Sequence, residues 1–342
     1  MTMHSDLHRG LPLASFAPEI EVADPGLVDT PLVSVLMVTY NHASYLAEAI
    51  EGVVAQECGF QFELIIGEDF SSDSTRRIAL EYQKKYPEII RVMYSAANVG
   101  GDANLDRIFS RARGDFIAYC DGDDYWCSKD KLALQVALIQ SDEKIAVVHS
   151  NWMRSMPGAK GWVVAKNSVH HRVPRRLLEG NIFATFYYPR GLRACTLLYR
   201  KKAAEEFQRS ALAAKRYRFG DTVLAAYLTS KWKLAYLNAV TAIYRESPGS
   251  ALRSGRRARS LFLLSALEFD TDARRFFADR DDYPESYRWE LAIGLLITAL
   301  AQIDFRTACI ALTDLQDHFG VIGFIKSGLK AIMIRLPTWR AW

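Results

Sequence analysis

The sequence predicts an α/β protein with a mostly parallel sheet flanked by helices, followed by a helical C-terminal extension. Apolar, β-branched runs alternate with helix-spaced stretches through the first half, the pattern of βαβ units. Those runs are apolar at nearly every position rather than every second one, as in strands covered on both faces. Past Ser250 the spacing turns helical and stays so.

The first strand is Leu32–Thr39 (LVSVLMVT), and the helix after it, Ala43–Gln56, carries Leu46, Ala49, Ile50 and Val53 on one face. A second strand, Phe62–Gly67, enters the polar turn Glu68–Ser74. Helix Thr75–Tyr86 follows, capped by Asp73 or Ser74 and ended by Pro87. Ile89–Tyr94 is a third strand, Asn98-Val99-Gly100-Gly101 a loop, and Ala103–Ala112 a helix. The fourth strand, Asp115–Cys120, runs straight into Asp121-Gly122-Asp123-Asp124. Downstream the pattern predicts helix Lys129–Gln140, strand Ile145–Ser150, and loops or a hairpin from Asn151 to Pro189. It then predicts strand Cys195–Tyr199, helix Asp221–Thr229, and two strands, Trp232–Leu237 and Ala239–Tyr244, split at Asn238.

A chain of 342 residues suffices for one large domain with an appendage. We expect a poorly ordered leader over 1–30, an α/β domain over 31–250 and a helical subdomain over 251–342. The net charge of +4 gives no reason to invoke a nucleic-acid partner. Five scattered cysteines without a CxxC pair suggest reduced thiols and a cytoplasmic setting. The leader lacks a signal-peptide pattern, and the longest apolar stretch, Leu291–Ile303, is too short to span a bilayer.

Ligands of open α/β sheets bind beyond the carboxyl ends of strands. Thr39-Tyr40-Asn41, Glu68-Asp69 and Asp121–Asp124 all lie at such ends. Three carboxylates within four residues repel each other unless a cation or solvent compensates them. Mn²⁺ or Mg²⁺ prefers such oxygen ligands and shares them with phosphates. The competing reading of that cluster is a solvated turn capping the next helix. Asp69 is a candidate acceptor for a base N–H, which would select uracil or thymine, and Tyr40 a candidate to stack on that base.

The array SVLMVTYNHASYL, ELIIGEDFSSDST, NVGG and GDFIAYCDGDDYW resembles glycosyltransferase family 2. The resemblance covers about 31–148, thins out, and resumes at Phe219-Gly220-Asp221 and Ala242-Ile243-Tyr244-Arg245. It implies the GT-A (Rossmann-like) fold and a nucleoside-diphosphate sugar donor, UDP-linked by first expectation. By position, Thr39, Tyr40 and Asp69 would hold the base, with Asn98 on the donor side. Asp121 would contact ribose, or the metal through water. Asp123 would coordinate the Mn²⁺ or Mg²⁺ that bridges the diphosphate. Asp221 stands where the family carries its general base, although a helix N-cap would explain it too. Trp126, Arg193 and Thr196 are candidates for the acceptor side.

Two departures stand out. The family often has a His after Tyr-Arg, whereas Glu246-Ser247-Pro248-Gly249-Ser250 follows Tyr244-Arg245 here. The second motif reads Glu68-Asp69-Phe70 where two Asp and a small residue are usual. The Gln-x-x-Arg-Trp motif of processive relatives is absent, which favours single transfers.

The segment Val321–Trp342 has four basic residues and no acidic one, with an apolar helical stripe beside them. We expect its apolar stripe to pack on the α/β domain or on a second subunit, and its basic, Trp-bearing end to touch the anionic inner membrane face. The acceptor expected from the reaction class is a glycan or lipid-linked hydroxyl in surface-polysaccharide assembly. The alternatives are a sugar nucleotidyltransferase, disfavoured by the missing Gly-rich triphosphate loop, and a nucleotide-sugar-binding protein without catalysis.

Overall fold

A computed structural model describes residues 19–159, 161–187, 192–215, 217–246 and 256–339. The strands are β1 (Glu19–Val22), β2 (Val33–Thr39), β3 (Phe62–Glu68), β4 (Ile90–Ser95), β5 (Phe116–Tyr119), β6 (Tyr125–Trp126), β7 (Ile145–Gly158), β8 (Gly161–Val164), β9 (Leu198–Arg200) and β10 (Lys233–Arg245). The helices are α1 (Leu46–Val54), α2 (Thr75–Lys85), α3 (Gly101–Phe109), α4 (Lys131–Gln140), α5 (Lys201–Gln208), α6 (Asp221–Lys231), α7 (Arg256–Phe276), α8 (Glu285–Leu300) and α9 (Phe305–Trp339).

The sheet order is β1-β4-β3-β2-β5-β9-β7-β10-β6, with β8 hairpinned onto β7. β4, β3, β2 and β5 are parallel neighbours, and β7 and β10 are parallel to each other. β9 is antiparallel to both β5 and β7, so these six strands share one direction. The chain lays down β2, proceeds outward to β3 and β4, then returns to place β5 on the other side of β2. That reversal is a topological switch point, and it opens a crevice beyond the ends of β2 and β5.

Alternation along β2 feeds two cores. Val33, Val35 and Met37 enter one core with Leu46, Ile50 and Val53 of α1. Leu36 enters the other, which continues through Ile108, Phe183 and Ala226 to Phe269, Leu291 and Leu315 of the last three helices. The C-terminal helices therefore share a core with the sheet; they do not stand apart from it. Residues 247–255, where a subdomain boundary is expected, lie outside the described residues. Among the described residues, no helix is long and apolar enough to cross a membrane.

Several expectations change. The leader is partly ordered: Glu19–Val22 pairs antiparallel with β4, and Glu21 binds Arg91 of that strand. Residues 1–18 lie outside the described residues. The two strands expected around Asn238 are one strand, β10, because register shifts between Leu237 and Ala242 absorb the irregularity against β7. The hairpin expected after Ser150 is β7–β8, and β7 runs on to Gly158. α9 bends where Gly320 leaves helical geometry (φ 52°). Most side chains of the tail stripe lie outside the described residues. Gly328, however, comes so close to α8 that a Cβ would stand 3.0 Å from the Trp289 ring.

Candidate active site

The loop after β2 is tied to the loop after β3 through side chains. Asn41 (φ 54°) donates its backbone N–H to Ser71 Oγ at 3.0 Å and accepts from the Ser72 N–H at 2.9 Å. His42 N–H reaches Thr75 Oγ1 at 2.8 Å, and Ala43 N–H reaches Asp73 Oδ2 at 3.1 Å. Asp73 also takes the Thr75 N–H at 2.9 Å, so the expected cap at the start of α2 falls to Asp73. These bonds hold Thr39 buried at the crevice floor and leave Tyr40 exposed at its lip.

Asp121–Asp124 continue β5 across the crevice. Gly122 N–H bonds Val38 O at 3.0 Å, which draws the turn against the end of β2. The approach is close: a Cβ on Gly122 would come 2.7 Å from Thr39 Oγ1 and 3.0 Å from His42 Nδ1. Both Thr39 Oγ1 and His42 Nδ1 are buried polar atoms with no hydrogen-bond partner. His42 Nε2 lies 4.0 Å from Asp123 Oδ2. Burial lowers the His42 pKa, and the charges of Asp123 and Asp73 oppose that shift. His42 is thus held toward its neutral, ligating form.

The carboxylates differ in their surroundings. Asp124 is buried and accepts the Arg245 N–H at 2.9 Å, while Arg245 Nη1 donates to Asp123 O at 3.1 Å. The Arg245 guanidinium also pairs with Glu48 and lies 4.5 Å from the Tyr125 ring. Asp124 is therefore an anchor between the cluster and the end of β10; burial and its two Asp neighbours push its pKa well up. Asp123 keeps part of its surface open. Asp121 is pushed up to about 7, first by burial, then by the charges of Asp123 and Asp221, against a pull from Arg193. Residues distant in sequence thus act on one carboxyl: Asp121 feels the charges of Asp123, Asp221 and Arg193.

Asp221 opens α6, is exposed, and accepts the Thr222 N–H at 2.8 Å. Gly220 occupies the N-cap position without a side-chain cap. Arg193 is half-buried, with its guanidinium 4.4 Å from the Tyr244 ring and 5.0 Å from that of Trp152. Its buried Nε has no hydrogen-bond partner.

Other candidates fall elsewhere. Trp126 is buried in β6, donates Nε1–H to Cys195 O at 2.9 Å, and lies 4.0 Å beneath the Lys131 ammonium. It packs the core and cannot stack on an acceptor. Thr196 is fully buried, with its hydroxyl on Arg193 O at 2.7 Å; its place is to support Arg193, not to face a ligand. Asp69 already holds the Val99 N–H at 2.8 Å and the Gly100 N–H at 2.9 Å. Each oxygen keeps a second acceptor position, but the side chain is buried, so a base N–H reaches it only where the Asn98–Gly100 loop gives way. Asn98 donates to Asp69 O at 2.9 Å, which is a loop-holding contact.

Sequence reasoning missed His42 and Arg245 as parts of the cluster. Their signal was present, since both adjoin motif residues, but only the fold shows them meeting Asp123. Among the described residues, no group of three His, Cys, Asp or Glu side chains forms a ready metal cage. Asp121 and Asp123 with His42 nearby still fit a divalent cation of the kind that takes one or two carboxylates and completes its shell with phosphate oxygens. Burial first, then the charges of Asp123 and Asp221, push Asp121 up, and a bound cation would oppose that push.

A switch-point crevice lined by a carboxylate turn defines an α/β protein built to take a polar ligand at its strand ends. The chain belongs to glycosyl transferase family 2, whose model matches residues 34–207. It is 38% identical over 106 residues to the putative teichuronic acid biosynthesis glycosyltransferase TuaG of Bacillus subtilis, covering 31% of this chain and 41% of that protein. It is 29% identical over 125 residues to the UDP-Glc:alpha-D-GlcNAc-diphosphoundecaprenol beta-1,3-glucosyltransferase WfgD of Escherichia coli, covering 36% and 47% respectively. These matches span 33–47% of the length of the curated relatives. The fold is also similar to that of mannosyltransferase PcManGT from Pyrobaculum calidifontis, solved with GDP-Man and Mn²⁺. The TM-score there is 0.53 at 15% identity, covering 93% of this chain and 86% of that one.

Proposed function

We propose that the protein is an inverting, metal-dependent, non-processive glycosyltransferase of surface-polysaccharide assembly. It moves a sugar from a UDP-linked donor to a hydroxyl of a glycan or lipid-linked acceptor. The observation that carries this reading is the carboxylate turn at the switch point, where Asp121, feeling the charges of Asp123 and Asp221, is pushed up to about 7. The relatives named for teichuronic acid biosynthesis and for a diphosphoundecaprenol acceptor support the polysaccharide setting.

In this reading Tyr40 stacks on the base at the lip and Asp69 accepts its N–H, with Asn98 fixing the loop that Asp69 holds. Thr39 lends its unpartnered hydroxyl at the floor. Asp121 takes a ribose hydroxyl, and Asp123 with His42 holds the Mn²⁺ or Mg²⁺. When bound, that ion neutralises charge on the departing diphosphate. His42 occupies the role left open by the His absent after Tyr244-Arg245. Arg193, stiffened by Tyr244 and Trp152, turns its guanidinium toward developing negative charge near Asp121. Asp221 removes the acceptor hydroxyl's proton as the oxygen attacks from the face opposite the diphosphate, which inverts the anomeric centre.

The setting is cytoplasmic, with contact to the inner membrane face. The test is turnover of a nucleotide-sugar panel with Mn²⁺, using parent protein and Asp221→Asn. We expect the variant to bind donor as the parent does and to lose at least a hundredfold in kcat. Near-normal turnover would remove Asp221 from the mechanism.

A further inference from the structure

The far end of the C-terminal helices carries an apolar tip. Ile297 is 63% exposed, Leu300 55%, Ile303 75% and Phe305 69%. These four residues occupy the end of α8, the turn and the start of α9. Ile303 holds a left-handed backbone (φ 57°), a conformation that costs a β-branched residue and suits glycine. A strained, exposed isoleucine is a poor choice for a solvated turn and a good one for a turn that inserts into an apolar phase.

The rim of the tip is basic. Gln302 Nε2 bonds Ser260 Oγ at 3.0 Å, which sets the start of α7 beside the turn. Arg257 and Arg259 are exposed there, as is Arg306 on α9, and no described carboxylate forms an ion pair with any of the three. Over 257–265 and 296–306 the one acidic residue is Asp304. Its carboxylate holds the α9 N-terminus through the Thr307 N–H at 3.1 Å and the Thr307 hydroxyl at 2.6 Å, and it also feels the charge of Arg306 beside it.

We propose that this tip docks on an anionic lipid bilayer, with Leu300, Ile303 and Phe305 entering the headgroup boundary and Arg257, Arg259 and Arg306 facing lipid phosphates. Arginine cations around an exposed apolar wedge complement such a surface. A second protein copy would have to bury the arginines against acids that the tip itself does not offer. The surface also adjoins the candidate site: Phe262, less than a turn from Arg259 on α7, packs on Phe219 with ring centroids 5.1 Å apart. Phe219 lies two residues before Asp221. Docking would thus set the α6 end against the membrane, within reach of a lipid-borne acceptor. That reach to an acceptor rests on the function proposed above, whereas the docking itself uses other residues than the 321–342 tail and is tested without turnover.

The test is co-sedimentation of the full chain with vesicles of phosphatidylcholine, alone or mixed with phosphatidylglycerol. The parent should bind the mixed vesicles and release in high salt. Leu300→Ser/Ile303→Ser/Phe305→Ser should lower the partition coefficient at least about tenfold. Arg257→Gln/Arg259→Gln/Arg306→Gln should lose about fivefold per charge on mixed vesicles only. Ile303→Gly should raise Tm while weakening binding, which separates surface loss from unfolding. Failure of the parent to bind, or parent-like binding by the serine variant, would overturn the proposal. So would light scattering that showed a dimer dissolved by the serine variant.

Discussion

Replacing Asp121 by Asn removes a carboxylate that the folded protein holds at about 7, against an ordinary value of 3.8. The folded value is raised, so the carboxyl is neutral in the fold and ionised in the unfolded chain between those two pH values. Its destabilising effect is absent below about pH 4, grows as pH rises and is complete above about pH 7. A shift of roughly 3 units corresponds to about 4 kcal/mol in full. Asp121 keeps an open flank at the crevice mouth although neighbours enclose its carboxyl, so screening by water reduces this to about 2 kcal/mol. For 342 residues the unfolding entropy is about 0.7 kcal/mol/K, and the expected rise in Tm is roughly 3 °C. The assay is calorimetry of metal-free protein at several pH values. Relative to Asp121→Asn, the parent should lose about that amount of stability between pH 4 and pH 7, so that the variant melts higher above pH 7. Mn²⁺ should restore the parent more than the variant. A difference flat with pH, together with a variant no more stable, would refute the claim that burial and the neighbouring charges push this carboxyl up.

Other outcomes follow from the same geometry. Gly122→Ala should destabilise by about 1–3 kcal/mol in urea melts, because its Cβ meets Thr39 and His42 across the strand ends. Trp126→Phe should cost about 1–2 kcal/mol in the same melts, through the lost bond to Cys195 O, and leave the acceptor KM unchanged. A changed KM would return Trp126 to the acceptor side. Burial alone would raise Glu63, but Arg113, Ser34 and Arg91 outweigh it and hold its carboxyl below the ordinary range. That contribution is present at neutral pH and lost as pH falls through the depressed value. Glu63→Gln should therefore destabilise by about 3 kcal/mol at pH 7 and by less in acid, read by calorimetry.

Legibility in the sequence followed the range of the forces involved. β2 to β5 were plain because a strand buried on both faces must be apolar throughout, and Thr39, Asp69 and Asp121 fell at their ends. β1 was read as leader because Glu-Ile-Glu-Val is short and polar; it forms because β4 offers a partner and Arg91 a counter-charge. β6 exists only as two residues paired with Ala242 and Ile243, so local sequence could not reveal that Trp126 turns inward. Asn238 reads as a strand break because its cost is absorbed by a bulge against β7, a compensation that lies more than 80 residues away. The nearness of His42 to Asp123, and of Arg193 to Asp121, depends on which strands neighbour β2, and no local pattern encodes that order.

The central claim is that the crevice between the ends of β2 and β5 binds a nucleoside diphosphate through a metal held at Asp123. Titration calorimetry of UDP into the protein, with and without Mn²⁺, addresses it directly when parent and Asp123→Ala are compared. We expect Mn²⁺ to tighten UDP binding to the parent at least tenfold and to leave the variant's weak binding unchanged. Equal UDP affinity in all four titrations would contradict it.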